Sequence, residues 1–308
     1  MNAVSSPSAR PGALRVWTMA IRPKTLPVGA APIIVGWSIA VSHSGADTDH
    51  RIGALCMVTA LLLQILSNLA NDYFDFKKGS DTESRQGPMR VMQHRLVTPT
   101  QMKWALGLVT ALAAATGTVL IVHGGPVYAV IGGAAILAAV AYTGGPFPLA
   151  YNGLGDLFVF LFFGLVAVVG TAHLCTGEIP VYSWPAAGAM GLLAVNLLVV
   201  NNVRDEPEDR RNKKKTMVAR FGKPLGVTQY ALGLFLAYVG VGMVASFAQN
   251  NWVFLTGAVA PIGIINLKRL RVLNGQRLNP VLGQTALFCF LFGLVLSGSL
   301  LLPHWIHP

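Results

Sequence analysis

The chain alternates long apolar stretches with short polar connections. A helix needs about 20 apolar residues to cross the hydrocarbon core of a bilayer, and nine stretches approach that length. The predicted spans cover residues 25–42, 52–76, 101–122, 126–143, 155–175, 181–204, 225–246, 251–270 and 282–302. The first and sixth have the least defined boundaries, because Pro27, Pro32 and Pro185 lie in or near them and proline kinks or breaks a helix.

The overall composition agrees with this pattern. Hydrophobic residues make up 53% of the chain and charged residues only 11%, against about 25% charged residues in a soluble domain. We therefore predict an all-α, polytopic membrane protein with one domain at 17–308. The Ser-, Pro- and Ala-rich tail at 1–16 is predicted to be disordered, and it shows no cleavable signal peptide. The three cysteines lie in apolar runs without metal-ligand spacing, as expected of small buried side chains.

The basic residues that give the net charge of +11 are confined to a few connections. Every Lys and Arg except Arg51 falls in the N-terminal tail up to Lys24 or in the segments 77–103, 204–223 and 268–277. Nine spans place all four segments on one face of the membrane. The positive-inside rule makes that face cytoplasmic, with the N-terminus cytoplasmic and the C-terminus on the opposite side. This segregation indicates topology and contact with anionic lipid rather than nucleic-acid binding.

Two acidic clusters lie where the second and sixth spans meet basic loops. In each cluster an Asn precedes the first Asp by four residues, Asn68 before Asp72 and Asn201 before Asp205, so the oxygens share one helix face. Carboxylate and amide oxygens without nearby Cys or His suit Mg²⁺. The two clusters together could hold a diphosphate through metal ions. The candidate ligands are Asn68, Asp72, Asp75, Asn201, Asp205 and Asp209.

The recurrence of this chemistry four helices apart predicts an internal duplication. One four-helix unit would cover residues 22–143 and the other 153–272, with the last helix at 282–302 appended. Such repeats commonly place the site of a membrane protein at the interface between their two halves.

At these clusters the sequence resembles the UbiA superfamily of intramembrane prenyltransferases. The first motif, N-x-x-N-D-x-x-D-x-x-x-G-x-D, is met by "SNLANDYFDFKKGSD" from Ser67 to Asp81. The second, N-N-x-R-D-x-x-x-D-x-x-x-G-K-x-T, runs from Asn201 to Thr216, with Lys213 standing where the family has Gly. That departure bears on the conformation of the loop rather than on the ligands.

Further segments resemble the MenA branch, the 1,4-dihydroxy-2-naphthoate polyprenyltransferases of menaquinone synthesis. They read "RPKTLP", "LQILSNLANDY", "GPMRVMQ" and "GLGDLFVFLFFG". The resemblance implies a nine-helix bundle with a central cavity and a cytoplasmic cap, in a bacterial inner membrane. It implies Mg²⁺-dependent transfer of a polyprenyl group from its diphosphate to the naphthoate, with loss of CO₂ and diphosphate, to give demethylmenaquinol. Two Mg²⁺ ions would be held by the catalytic residues Asp72, Asp75, Asp205 and Asp209.

The remaining candidate residues surround these aspartates in the cytoplasmic connections. The candidates for diphosphate contact are Arg22, Lys24, Arg90, Lys214 and Tyr142. The candidates for acceptor contact lie in the one cytoplasmic loop without a basic residue, and they are Thr143, Tyr151, Asn152 and Asp156. Weaker candidates are Asn71, Asp81, Arg204 and Arg220.

Two alternatives stay open at this point. The same chemistry could serve another aromatic acceptor, such as 4-hydroxybenzoate or homogentisate. An ion-coupled transporter is a remote alternative, because transporter sites lie near the bilayer midplane whereas these aspartates are at helix ends.

Overall fold

A computed structural model describes residues 11–79, 86–87 and 89–306 of the chain, which in these ranges is helical and without strands. Eight helices are long and apolar enough to cross a membrane, and one shorter apolar helix joins them. The membrane helices are α2 Leu26–Ser44, α3 His50–Lys77, α4 Pro99–Gly124, α5 Val127–Ala141, α6 Gly155–Thr176, α7 Ser183–Arg211, α9 Lys223–Ala248, α10 Asn251–Val272 and α11 Asn279–Ile306. The predicted all-α fold with nine spans is confirmed.

Two short helices lie outside these spans, namely α1 Ala13–Ile21 and α8 Met217–Phe221. The first corrects a prediction, since the expected disordered tail was to extend to residue 16. Instead the chain is helical from Ala13, because Val16 and Ala20 are buried against Leu69 of α3. Burial of this apolar face stabilises α1, which the Ser- and Pro-rich composition of the tail did not predict.

Local capping explains where several helices begin. Asp49 accepts hydrogen bonds from the backbone N–H groups of Arg51 and Ile52 at the start of α3. At the start of α4, Thr98 and Gln101 form a reciprocal capping box. Such caps satisfy the free N–H groups of the first turn, so these polar residues fix where the two helices begin.

Helix α7 corrects the predicted boundary of the sixth span. It continues to Arg211, past the expected end at 204 and through Pro207. Asp205 and Asp209 therefore occupy successive turns of one helix and share a face. The second acidic cluster is thus presented by a rigid helix end instead of by a loop.

The most deeply buried span is α7, which packs against α9 and α6, while α2 packs against α11. A Cβ on Gly164 of α6 would lie 2.6 Å from the Ala187 oxygen and 2.9 Å from the Gly191 Cα of α7. Glycines allow this close approach of two membrane helices. Residues Leu161–Val169 of α6 form a π-helical segment, a feature often found beside functional sites.

Candidate active site

A cavity of about 440 Å³ lies among α2, α3, α4, α5, α6 and α7. Its polar end is lined by Arg22, Asn68, Asn71, Asp75, Arg90, Asn201, Asn202, Arg204, Asp205, Asp209 and Lys214. Its apolar part reaches Cys56, Leu120 and Tyr128 at the opposite ends of their helices. At the rise of an α-helix, Cys56 lies about 28 Å from Asp75 along α3. The cavity therefore extends from the polar end across most of the hydrocarbon core.

The first acidic cluster presents Asp75 and Asn71, which are one helical turn apart on α3. Arg90 donates to Asp75 Oδ2 at 2.6 Å, and the Tyr151 hydroxyl donates to Asp75 Oδ1 at 3.1 Å. The Thr143 hydroxyl donates to Asn71 Oδ1 at 2.9 Å. Both Asp75 and Asn71 are therefore held by residues from the connections at this end of the helices.

Asp72 does not line the cavity. It is 1% exposed, and its carboxylate accepts hydrogen bonds from the backbone N–H groups of Val91 at 3.1 Å and Met92 at 3.4 Å. In the described structure the Asp72 carboxylate therefore contacts the backbone after Arg90 instead of lining the cavity, and its predicted role as a metal ligand stays a prediction. Asn68, one turn earlier, does line the cavity, yet its Nδ2 donates to the Ile21 oxygen at 2.9 Å.

The second acidic cluster is organised by Arg204, which is 2% exposed. Its guanidinium donates to both oxygens of Asp205, at 2.8 and 2.7 Å, and to Oδ1 of Asn201. It also donates to Asn279 Oδ1 at the start of α11, at 3.0 Å. Sequence reasoning ranked Arg204 low and missed Asn279, because α11 contributes to this end only through tertiary packing.

Lys214 lies between the two clusters. Its ammonium is 3.4 Å from Asp209 Oδ1 and 4.9 Å from the centroid of the Tyr151 ring. Burial by itself lowers the pKa of Lys214, but the carboxylates of Asp75 and Asp209 outweigh it and hold the pKa above its ordinary value. Lys214 is therefore a cation that carboxylates of both acidic clusters stabilise.

Lys78, which the sequence did not single out, contacts the predicted acceptor loop, although it is exposed and does not line the cavity. Its ammonium lies 4.2 Å from the centroid of the Tyr151 ring, on which Lys214 also packs, and it donates to the Thr143 oxygen at 2.6 Å. Partial removal from water lowers the pKa of Lys78, and the nearby Lys214 adds to this effect against Asp75. Its position three residues after Asp75 was the available sequence signal.

The predicted acceptor loop packs against the loop that carries Lys214. The Lys215 N–H donates to the Tyr151 oxygen at 2.9 Å. Gly153 has a φ of +78°, and a Cβ there would lie 2.6 Å from the Lys215 oxygen. A glycine is needed for this conformation and close approach. The two loops together form the observed cap over the polar end.

Tyr142, Thr143 and Asp156 of this loop line the cavity. Removal from water raises the pKa of the Tyr142 phenol, and the charges of Asp156, Asp209 and Asp75 raise it further. The hydroxyl therefore stays protonated and available as a hydrogen-bond donor. Asp156 accepts from Gln229 Nε2 of α9 at 2.9 Å.

The remaining predicted residues lie away from the cavity lining. Lys24 and Arg220 are exposed, and Arg220 packs over the Phe221 ring. Asn152 donates to the Pro148 oxygen within its own turn, while Tyr151 reaches the site only through its hydrogen bond to Asp75. Asp81 lies outside the described residues.

The donor chemistry of the polar end fits Mg²⁺. Asn71, Asp75, Asn201, Asp205 and Asp209 present carboxylate and amide oxygens to one cavity, which are the ligands that hard cations prefer. Among the described residues, no three His, Cys, Asp or Glu side chains converge into a preformed metal cage. An ion held here would complete its shell with water or with oxygens of a bound anion, as Mg²⁺ commonly does.

The fold and the site together define a class of protein. It is a polytopic membrane protein whose cavity is suited to an amphiphile, with oxygen ligands and cations for an anionic head and an apolar channel for a long tail. The model of the UbiA prenyltransferase family matches residues 30–288 of this chain. The chain belongs to the UbiA prenyltransferase family, and the family predicted from the two motifs is confirmed.

The curated relatives are similar over almost their whole length. A 1,4-dihydroxy-2-naphthoate octaprenyltransferase of Escherichia coli (strain K12) is 36% identical, over 94% of this chain and 96% of its own. The protein of the same name from Mycobacterium tuberculosis is 35% identical, over 92% of this chain and 96% of its own. The predicted resemblance to this branch is therefore also confirmed.

Solved structures show the same fold at low sequence identity. A UbiA homologue from Aeropyrum pernix K1 aligns with a TM-score of 0.69 and 12% identity, over 90% of this chain and 98% of its own. A UbiA homologue from Archaeoglobus fulgidus bound to GPP and Mg²⁺ aligns with a TM-score of 0.63 and 17% identity, over 91% and 99% of the two chains. These structures confirm the helical architecture.

Proposed function

We propose that this protein transfers a polyprenyl group from polyprenyl diphosphate to 1,4-dihydroxy-2-naphthoate, with loss of CO₂ and diphosphate. The product is demethylmenaquinol, which is oxidised to demethylmenaquinone in menaquinone biosynthesis. One observation carries the proposal: the acidic ends of α3 and α7 line the polar end of a single cavity whose remaining walls are apolar. The names of the similar proteins specify the acceptor.

The polar end of the cavity would bind the diphosphate. Asn71 and Asp75 on one helix, with Asn201, Asp205 and Asp209 on the other, are the residues that would hold two Mg²⁺ ions. When bound, Mg²⁺ supplies positive charge against the charge that develops on the leaving diphosphate. Arg90, Arg204 and Lys214 add fixed positive charge at the same end, which favours a transition state with a more anionic leaving group.

The chemistry itself occurs between the two substrates. Cleavage of the C–O bond leaves the electron pair on the diphosphate and gives an allylic cation. The electron-rich naphthoate carbon that bears the carboxylate attacks this cation and forms a C–C bond. Loss of CO₂ returns the bonding electrons to the ring and restores its aromaticity. Tyr142 and Thr143 of the acceptor loop line the same cavity as the acidic clusters and would position the reacting groups.

The predicted topology and the bacterial relatives suggest where the protein and its donor lie. The tail of the donor lies in the channel, where burial of each CH₂ contributes about 0.8 kcal/mol. The cytoplasmic end of the protein holds the diphosphate, and the bacterial relatives make the inner membrane the expected location.

Purified protein with Mg²⁺ and polyprenyl diphosphates, offered a panel of aromatic acids, tests this proposal. Carboxyl-labelled 1,4-dihydroxy-2-naphthoate should release labelled CO₂ in step with prenylated product, and EDTA should abolish both. Product only with 4-hydroxybenzoate or homogentisate would move the protein to another acceptor. Cation flux in proteoliposomes without prenyl transfer would favour a transporter.

A further inference from the structure

We propose that Asn68 and Asp72 are positioning residues that hold the two segments carrying Arg22 and Arg90 at the diphosphate, while Asn71 and Asp75 alone supply the metal-facing oxygens of α3. The proposal rests on the proposed function, since it assigns the arginines a diphosphate to contact. It divides one continuous motif into two pairs with different tasks.

The two pairs occupy different faces of α3. Residues four apart on a helix are stacked, and neighbouring residues are rotated by about 100°. Asn71 and Asp75 are stacked toward the cavity, whereas Asn68 and Asp72 form the adjacent stack. Asn68 lies where the two faces meet and Asp72 lies outside the cavity lining.

Asp72 anchors the chain directly after Arg90. Its two oxygens accept from the N–H groups of Val91 and Met92, whose side chains are 0% and 1% exposed. Those side chains pack with Val16 of α1 in one apolar cluster. Buried backbone donors need partners, so the carboxylate fixes the start of this connection against α3.

That anchoring determines where Arg90 points. Its guanidinium donates to Asp75 Oδ2 at 2.6 Å and to the backbone oxygen of Asn71 at 3.0 Å. Asp72 itself contacts the residues next to Arg90, so one turn of α3 both receives the guanidinium and holds its backbone. If the Arg90 segment were flexible, the guanidinium would no longer be held at Asp75, although the metal-facing oxygens of α3 would remain in place.

Asn68 performs the corresponding task for Arg22. Its Nδ2 donates to the Ile21 oxygen at 2.9 Å and to Thr25 Oγ1 at 3.3 Å. Arg22 lies between these two residues with a φ of +56°, a conformation that needs support in a non-glycine residue. The side chain of Arg22 lines the cavity.

The test compares Asp72→Asn with Asp75→Asn, the same isosteric change on two faces of one helix. Hydrogen–deuterium exchange reports on the amides of the segment from residue 90 to 95, and Mn²⁺ binding by electron paramagnetic resonance reports on the ligand set. Steady-state kinetics give the KM for the donor. The first two measurements need no turnover, so they test the anchoring even if the proposed acceptor is wrong.

Asp72→Asn should speed exchange at Val91 and Met92 by roughly tenfold or more, since it weakens charge-assisted hydrogen bonds. It should raise the KM for the donor by a similar factor and leave Mn²⁺ affinity within about twofold. Asp75→Asn should weaken Mn²⁺ binding and leave the exchange unchanged. Asp72→Asn that weakens Mn²⁺ binding as much as Asp75→Asn, or that leaves exchange unchanged, overturns the proposal.

Asn68→Asp and Asn68→Ala test the second anchor. Both remove the amide donor to Ile21, so both should raise the KM for the donor and the exchange rate of the residue 21–25 segment. Asn68→Gln, which keeps the donor on a longer stem, should recover part of the loss. Equal donor KM in all three variants and the parent would overturn this half of the proposal. Thermal unfolding in detergent excludes variants that do not fold.

Discussion

The buried arginines at the polar end of the cavity are each paired with a carboxylate. Arg204 forms a bidentate contact with Asp205, and Arg90 contacts Asp75. Removing one partner of such a buried pair leaves an uncompensated charge, which is costly. An ion or a diphosphate that enters must therefore share these groups, so single substitutions here affect binding and catalysis together.

Asp205→Asn keeps the size of the side chain and removes its charge. We expect kcat/KM to fall by more than the roughly 10- to 100-fold that loss of an outer-shell partner of a metal site causes. The matched control is Glu206→Gln, the adjacent residue, whose carboxylate pairs with Arg210 on the surface. Prenyl transfer by purified variants measures both, and near-parent activity of Asp205→Asn would contradict the metal assignment.

Helix α5 shows how one element divides its faces between the channel and lipid. Its channel face carries Tyr128, Gly132 and Ala135, with Tyr142 directly after the helix. Small side chains leave room beside the helix for a tail, and no atom lies within 4 Å of a Cβ built on Gly132. The adjacent Gly133 is exposed and equally unobstructed, but it does not line the cavity.

Gly132→Phe should therefore obstruct the channel, and Gly133→Phe should place the same ring toward lipid. We expect the first variant to lose about tenfold or more in kcat/KM with long donors, because failure to bury even two CH₂ groups costs about that much. Activity with dimethylallyl diphosphate should change little. If kcat/KM depended on donor length in the same way in both variants, the tail of the donor would not lie along α5.

At the scale of the whole molecule, the charge segregation and the helix order predict one orientation in the membrane. The connections at Asp47 and at Gln276 lie on opposite faces, because α2 and α3 meet at the first and α10 and α11 at the second. The three native cysteines are buried. They should therefore contribute little background in a thiol-labelling experiment.

Asp47→Cys and Gln276→Cys test this orientation with a membrane-impermeant maleimide. In spheroplasts Asp47→Cys should be labelled at once. Gln276→Cys should be labelled at least about tenfold more slowly until the membrane is permeabilised, because the positive-inside rule places its basic connection in the cytoplasm. Labelling of both variants from outside would contradict the nine-span topology. The reverse pattern would invert the protein and place the diphosphate site outside.

The sequence by itself determined the number of spans and the family, and it predicts the side of the basic connections. Apolar run length, charge placement and motif spacing are local properties, and a bilayer converts them directly into spans and orientation. The structure confirmed the expected spans, although it extended α7 beyond Asp209 and replaced part of the supposed tail by α1. The internal duplication stays a prediction.

Only the tertiary structure decided which oxygens and cations serve the cavity. Spacing made Asn68 and Asp72 as good a ligand pair as Asn71 and Asp75, since both pairs are four residues apart. The packing of Val91 and Met92 against α1 and α3 turned Asp72 toward their amides, and no local pattern encodes that contact. The contact of Lys78 with the Tyr151 ring and the exposure of Lys24 likewise depend on how the connections fold over the helix ends.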